Sequence, residues 1–186
     1  MPATPDLDAL FAPNQTPRAL NALAQFHDRI GPVWYSDGFQ LSPNPKRSGI
    51  DTWSADRTFL RALFPFAMAN GSGSMYALWN SGESADPNDW PVIVFGDEGG
   101  VWVVAKNAID FLSLLAFDAE PMIDHDSVIY YRDEKHKFSQ GRADFINWLV
   151  GTFGIKPSEN VGTHVAEAQL AVQPKLNEWM SEFLPQ

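Results

Sequence analysis

Cysteine is absent from this chain of 186 residues. Its absence excludes disulfide bonds, thiolate metal sites and cysteine catalysis, and it is compatible with a reducing compartment. Long apolar runs are missing too, because charged residues, glycine or proline interrupt each one. We therefore expect no transmembrane helix. The first ten residues also lack the basic and apolar regions of a secretory signal, so we expect a soluble, cytoplasmic protein.

Basic residues are scarce: 13 Lys and Arg stand against 23 Asp and Glu, which gives a formal net charge of −10. One segment carries most of this charge, since residues 83–126 hold ten acids and a single base, Lys106, or −9. Such a field repels nucleic acid and anionic membranes and attracts basic proteins. The same charge is also typical of the solvated surface of an acidic cytosolic protein. The ten acids are Glu83, Asp86, Asp89, Asp97, Glu98, Asp110, Asp118, Glu120, Asp124 and Asp126.

The centre of the chain predicts an antiparallel sheet. Segments 74–79, 91–95 and 101–105 are rich in β-branched and aromatic residues and are bounded by glycine or proline, which is typical of strands. The last two are apolar at consecutive positions, which indicates that both faces of the sheet are covered. Only residues 96–100 separate them, a length typical of a hairpin. With 45% hydrophobic and 13% aromatic residues, the chain 1–186 is expected to fold as one globular domain.

Helices are predicted on both sides of this sheet. Asn107 and Asp110 have the spacing of a capping box, which predicts a helix over 108–117. Pro174 is expected to kink or restart the C-terminal helix. We therefore expect a single α+β domain: a mostly antiparallel sheet flanked by N-terminal, central and C-terminal helices. The other predicted helices are 17–30, Asp56–Leu63, 139–153 and 163–172, followed by an apolar stripe of Leu176, Trp179, Met180, Phe183 and Leu184 that docks on the domain. Further strands are predicted over 33–41, 50–53 and 127–131, with 117–126 irregular.

No motif for catalysis or for a cofactor is found. Asp124, His125 and Asp126 are the best metal-like cluster, but in extended backbone the histidine points away from the two aspartates. The glycine-rich loop 96–100 lacks the Gly-Lys-Ser/Thr ending of a phosphate loop, and its acids repel phosphate. The four histidines lie far apart in sequence, so nothing supports a catalytic triad. We expect no enzyme activity, no metal and no cofactor.

A family resemblance is carried by the block from Phe59 to Ala116. Its pattern consists of Pro65-Phe66-Ala67, the turn 71–74, Tyr76-Ala77-Leu78-Trp79, Pro91 to Gly96, Glu98-Gly99, and Val104-Ala105 with Ile109, Phe111 and Leu112. This block, roughly the middle third of the chain, resembles the central part of the SUKH superfamily, which groups bacterial toxin-immunity proteins with fungal cell-wall-assembly regulators. A later helix with Phe145, Trp148 and Leu149, in the C-terminal helical region of about 139–184, gives weaker support.

The resemblance implies a cytosolic immunity protein, which would bind the toxic domain of a basic partner, often a nuclease, and block its active site. Regional acidity agrees with this function, because an anionic surface speeds association with a basic protein. A non-enzymatic regulatory or scaffold protein of the same fold is the main alternative, and an enzyme comes third. Homodimerisation through the C-terminal stripe is possible. The predicted partner contacts, chosen for turn position and charge, are Asp86, Asp89, Trp90, Asp97 and Glu98.

Trp90 has two interpretations at this point. An exposed aromatic residue in an acidic loop is typical of a protein-contact site. The other interpretation is that its ring packs over the edge of the core.

Overall fold

The computed structural model describes residues 6–11, 15–158 and 160–184. These ranges contain five α-helices and seven strands, together with two short 3-10 helices, Ile50–Thr52 and Pro87–Asp89. The helices are α1 (Arg18–Ile30), α2 (Arg57–Arg61), α3 (Ala108–Leu115), α4 (Arg142–Phe153) and α5 (Val161–Ser181). The strands are β1 (Gln40–Leu41), β2 (Leu63–Met68), β3 (Met75–Trp79), β4 (Val92–Phe95), β5 (Val101–Ala105), β6 (Pro121–Ile123) and β7 (Val128–Tyr130).

Five antiparallel strands form the central sheet in the order β1-β2-β3-β4-β5, and β6 pairs with β7 in a separate hairpin. This architecture confirms the predicted α+β class with its antiparallel sheet. The strands predicted over 74–79, 91–95 and 101–105 are confirmed as β3, β4 and β5. These strands follow one another in the sheet in the same order as in the sequence, as consecutive strands usually do.

Both faces of the sheet are covered, as the continuous apolar runs predict. Alternate residues of β4 belong to different cores: Val92 and Val94 face one side, Ile93 and Phe95 the other. The first core contains buried residues of α1, α3 and α4, and the second contains residues of α2 and α5. All four β4 residues are fully or almost fully buried. The sheet is therefore the middle layer of the molecule.

Helix α5 closes the second core. The ring of Trp179 stacks on Phe59 with centroids 5.2 Å apart and lies 5.3 Å from Trp79. Leu176 and Met180 are buried in the same cluster, which confirms the docked C-terminal stripe. No helix in the described ranges combines the length and the apolar character that crossing a lipid bilayer requires.

The side chain of Gln173 joins α5 to the outer edge of the sheet. Its side-chain oxygen accepts a hydrogen bond from the Val103 amide (2.7 Å), and its amide nitrogen donates to the Val101 carbonyl (3.0 Å). Strand β5 is the last strand of the sheet, so these backbone groups have no neighbouring strand to pair with. Gln173 thus satisfies an edge that is otherwise open to pairing with another chain.

The C-terminal helix corrects one prediction. It runs without interruption through Pro174 and begins at Val161, where the side chain of Asn160 accepts from the Thr163 amide (3.0 Å). Proline lacks an N–H, which frees the carbonyl four residues earlier, at Leu170. Leu170 lies on the solvent side of the helix, with 84% of its surface exposed. Burial of side chains on both sides of the proline keeps the two halves in one helix.

Three other segments differ from the sequence predictions. Residues 50–53, predicted as a strand, begin with a 3-10 helix in which Asp51 accepts from the Gly49 amide (2.8 Å). Of the predicted strand 33–41, only Gln40 and Leu41 pair with β2. Segment 117–126, expected to be irregular, contains β6, because its short apolar run finds a partner in β7.

Candidate protein-binding site

Asp97 and Glu98 lie in the turn between β4 and β5, and both are exposed. Asp97 has a structural role there. Its carboxylate accepts from the Ser74 hydroxyl (2.5 Å), while its amide donates to the same oxygen (3.1 Å). The bond from Ser74 holds the pKa of Asp97 below its ordinary value, so the group is ionised at neutral pH. The β4–β5 turn is thereby fixed to the β2–β3 turn.

Asn70 organises the β2–β3 turn from inside. Its side chain is buried, and its oxygen accepts from the amides of Gly73 (3.0 Å) and Ser74 (2.8 Å). Its amide nitrogen donates to the Ser74 hydroxyl (2.9 Å). Asn70, Ser74 and Asp97 therefore form one hydrogen-bonded unit that spans two turns.

The β6–β7 hairpin lies against the same end of the sheet. A side chain at Gly99 would meet the ring of His125 at 2.2 Å, and one at Gly100 would meet the Asp124 carbonyl at 2.1 Å. The indole of Trp102 donates to that carbonyl (2.9 Å). These close approaches require glycine at both positions, and both have positive φ angles. We call the surface formed by residues 70–74, 96–100 and 120–126 the turn face.

Asp86 and Asp89 lie at the opposite end of β4 from Asp97 and Glu98. Asp86 accepts from the Asn88 amide (2.9 Å) and thereby caps the 3-10 helix Pro87–Asp89, which lowers its pKa. Strand β4 has four residues and spans about 13 Å, at about 3.3 Å per residue. The structure thus separates the four predicted contact acids into two pairs, and only Asp97 and Glu98 belong to the turn face.

Trp90 packs over the edge of the core, which decides between its two interpretations. It is 5% exposed, its ring lies 4.9 Å from that of Phe64, and its indole donates to the Ser84 carbonyl (2.9 Å). A side chain so covered offers little surface to a partner. Its prediction as an exposed contact is corrected for that reason.

A cleft of about 480 Å³ opens beside the turn face. Two carboxylates, Asp37 and Glu120, and an indole that is 57% exposed, Trp34, belong to its lining. Asn70 and Gly71 line it as well, so the cleft and the turn face are continuous. None of the described residues that line it is basic. The other lining residues are Gly38, Gln40 and Met68.

Exposed apolar side chains lie around this region. Met122 and Ile129 are directly opposite each other in the β6–β7 pair and are 56% and 50% exposed. Tyr131, two residues after Ile129, is more exposed still. Buried Val128 and the half-buried Tyr130, whose hydroxyl is 2.9 Å from that of Tyr76, face the core instead. The hairpin therefore presents an apolar surface with Glu120 and Asp124 at its ends.

A serine, a histidine and an aspartate meet below the cleft but do not form a catalytic triad. Asp118 is fully buried and accepts from the Ser139 hydroxyl (2.6 Å), the Ser139 amide (2.7 Å) and the Asp37 amide (2.7 Å). The His136 ring nitrogen is 3.9 Å from the carboxylate. A triad requires the histidine between the serine and the acid, whereas here the hydroxyl donates directly to the acid. This carboxylate holds three chain segments together.

In the cluster Asp124-His125-Asp126, the side chain of Asp124 stabilises a turn. The Asp124 carboxylate accepts from the amides of Asp126 and Ser127, both at 2.7 Å. In the part of the chain that the structure describes, no group of three His, Asp or Glu side chains is arranged to hold a metal ion. The acids of this loop are therefore available as surface charge.

Comparisons with protein-family models, with curated proteins and with solved structures found no match for this chain. The resemblance to the SUKH superfamily thus rests on the sequence pattern alone.

Sequence reasoning identified only part of this site. Glu120, Asp124 and Asp126 were visible as members of the acidic segment, but the fold was needed to bring them beside Asp97 and Glu98. Nothing in the sequence indicated that Trp34 and Asp37 belong to a binding site, since a strand was predicted over 33–41. Their position depends on a loop that follows α1.

Proposed function

We propose that this chain is a SUKH-type immunity protein that binds a basic toxin domain through the turn face and neutralises it. The observation that carries the proposal is the coincidence of two properties on one surface. Carboxylates from two separate segments, 96–100 and 120–126, gather there, and exposed apolar side chains of the β6–β7 hairpin lie beside them.

The carboxylates supply attraction over distance. Asp97 and Asp124 accept hydrogen bonds that lower the pKa of each below its ordinary value, so both are charged at neutral pH. Glu98 and Asp126 are exposed beside them. A concentrated negative potential steers a basic protein into its binding orientation and speeds association.

The apolar side chains supply affinity at close range. Interfaces obtain most of their binding energy from a few apolar or aromatic anchors, surrounded by a polar rim. Met122, Ile129 and Tyr131 have that composition, with Glu120 and Asp124 at the periphery. A toxin bound here would have its basic, substrate-binding surface covered.

Capture of partners from a lysate of the source organism tests the proposal. The tagged protein should retain a basic protein that is toxic when expressed alone and harmless when co-expressed with this chain. Failure to capture such a protein under toxin-expressing conditions would contradict the proposal. A captured basic protein without toxicity would instead favour the regulatory relatives.

A pair of charge variants places the contact. Glu98→Lys with Asp126→Lys reverses two exposed acids of the turn face, and we expect it to abolish capture. The matched control, Glu178→Lys with Glu182→Lys, makes the same charge change at the C-terminal end of α5, which packs on the other face of the sheet. Asp97 is not changed because its bonds to Ser74 hold the turns together.

Equal loss of capture in both variants would assign the effect to net charge rather than to the turn face.

A further inference from the structure

We infer that the cleft beside the turn face is a receptor for an arginine side chain of the basic partner. This inference rests on the proposed function, since it names the group by which such a partner would be recognised. The cleft, about 480 Å³, falls within the range of about 300–1,000 Å³ that is usual for ligand sites.

The lining matches the chemistry of a guanidinium group. Its planar cation stacks on an aromatic face, and Trp34 offers an exposed indole at the cleft. Its N–H groups form paired, charge-assisted hydrogen bonds with carboxylates, which Asp37 and Glu120 provide. Gln40 adds a side-chain amide oxygen for the remaining donors.

The charge of the cleft also favours a cation. Two carboxylates line it without a basic side chain among the described lining residues. Burial raises the pKa of Tyr76 above its ordinary value, and the negative charge of Glu120 adds a smaller contribution after that of Tyr130. Arginine fits better than lysine because only the guanidinium combines a stacking plane with several donors in fixed directions.

The cleft is preformed. The buried carboxylate of Asp118 fixes the Asp37 amide (2.7 Å). Gly38 has a φ of 68°, and a side chain there would meet the Cγ of Glu120 at 2.8 Å and the Ala69 carbonyl at 2.9 Å. The bonds of Asn70 to the β2–β3 turn hold the facing wall. A site with fixed walls loses less entropy on binding, so it favours one side chain over others.

Position links the cleft to the proposed interface. Asn70 lines the cleft and bonds to Ser74, which in turn bonds to Asp97 on the turn face. A partner segment lying over the turn face therefore passes the mouth of the cleft. Arginine is enriched among interface anchors, which agrees with such an insertion.

Nuclear magnetic resonance with short peptides tests the inference without any toxin. The probe is acetyl-Gly-Arg-Gly-amide, and its control carries citrulline, which keeps the shape of arginine but has no charge. We expect the arginine peptide to shift the Trp34 indole N–H and the amides of Gly38 and Gly71. The citrulline peptide should bind at least about tenfold more weakly, because it loses the charge-assisted bonds.

Two variants localise the effect. Glu120→Gln keeps the shape and removes one carboxylate, and Trp34→Ala removes the stacking surface, so each should abolish the arginine-specific shifts. Glu178→Gln, on the exposed side of α5, is the control and should leave them unchanged. Circular dichroism checks that each variant is folded.

Equal binding of the citrulline peptide, or shifts that survive Glu120→Gln, would overturn the inference. Capture of the toxin together with a failed peptide experiment would show that the cleft assignment alone is wrong. Selective binding of the arginine peptide without any toxin capture would uphold the guanidinium site and remove the immunity function.

Discussion

Replacement of Asp118 by asparagine is the sharpest test of how this fold supports its cleft. The carboxylate is fully buried and joins the loop after α1, the end of α3 and the start of α4. Its residue has a φ of 65°, a left-handed conformation that asparagine tolerates well. The substitution therefore keeps the volume and the backbone, but it changes one hydrogen-bonding group and removes the negative charge that acts on Arg132.

The expected effect follows from the donors that surround it. One carboxylate oxygen accepts from the Asp37 amide and the Ser139 hydroxyl, and the other accepts from the Ser139 amide. Asparagine can replace the first oxygen, but its NH₂ group then faces the Ser139 amide, and a buried donor is left without an acceptor. That loss costs about 1–3 kcal/mol of the free energy of unfolding. Asp118→Ala leaves three donors unpaired and should cost at least about 3 kcal/mol.

Urea unfolding, followed by circular dichroism and tryptophan fluorescence, measures both variants. Asp126→Asn makes the same chemical change at an exposed position and should stay within about 0.5 kcal/mol of the wild type. Hydrogen exchange of the Ser139 amide, the donor that loses its acceptor, adds a local readout and should accelerate in Asp118→Asn. Stability within about 0.5 kcal/mol of the wild type, together with unchanged exchange, would refute the role assigned to this carboxylate.

Two further predictions concern the sheet. Gln173→Leu leaves the Val103 N–H and the Val101 carbonyl of the edge strand unpaired. We therefore expect the free energy of unfolding in urea to fall by about 2–5 kcal/mol, and the exposed edge to cause concentration-dependent association. Unchanged stability would contradict this role of Gln173. The lowered pKa of Asp97 stabilises the folded state above the unfolded value of about 3.9, and this contribution disappears as the pH falls through the folded pKa. The urea midpoint of Asp97→Asn should thus be below that of the wild type at pH 7, and the two should converge as the pH falls below the folded pKa of Asp97. A pH-independent difference would exclude the carboxylate as the cause.

The fold was predictable where local signals and burial agree. Strands β4 and β5 were visible because each is a short, continuous apolar run, and the structure buries both faces. Helix α3 was visible from its cap, and the Asn107 side chain accepts from the Asp110 amide (2.9 Å). Pro174 misled the prediction because local propensity was outweighed by the packing of α5 on β5 and on the second core.

The candidate site was less predictable because it is made of contacts between distant segments. Glu120 reaches Trp34 and Asp37 only through the docking of the β6–β7 hairpin, which sequence patterns indicated only in part. Conversely, Asp89 and Asp97 are close in sequence but are held apart by a strand. Turn position and charge therefore predicted the type of surface better than they predicted its members.

The structure divides the acids of segment 83–126 into those with local partners and those exposed on the turn face. Several of its acids have local partners: Glu83 pairs with Lys175, Asp110 lies 3.3 Å from His164, and Asp118 is buried. Those on the turn face stay exposed, and the apolar side chains of the hairpin lie beside them. A merely solvated acidic surface gains nothing from exposed apolar side chains such as Met122 and Ile129 beside it, since exposed apolar patches favour association. The carboxylates that would attract a basic partner and the apolar side chains that would bind it thus lie side by side. This arrangement favours a protein-contact surface over a merely solvated acidic surface.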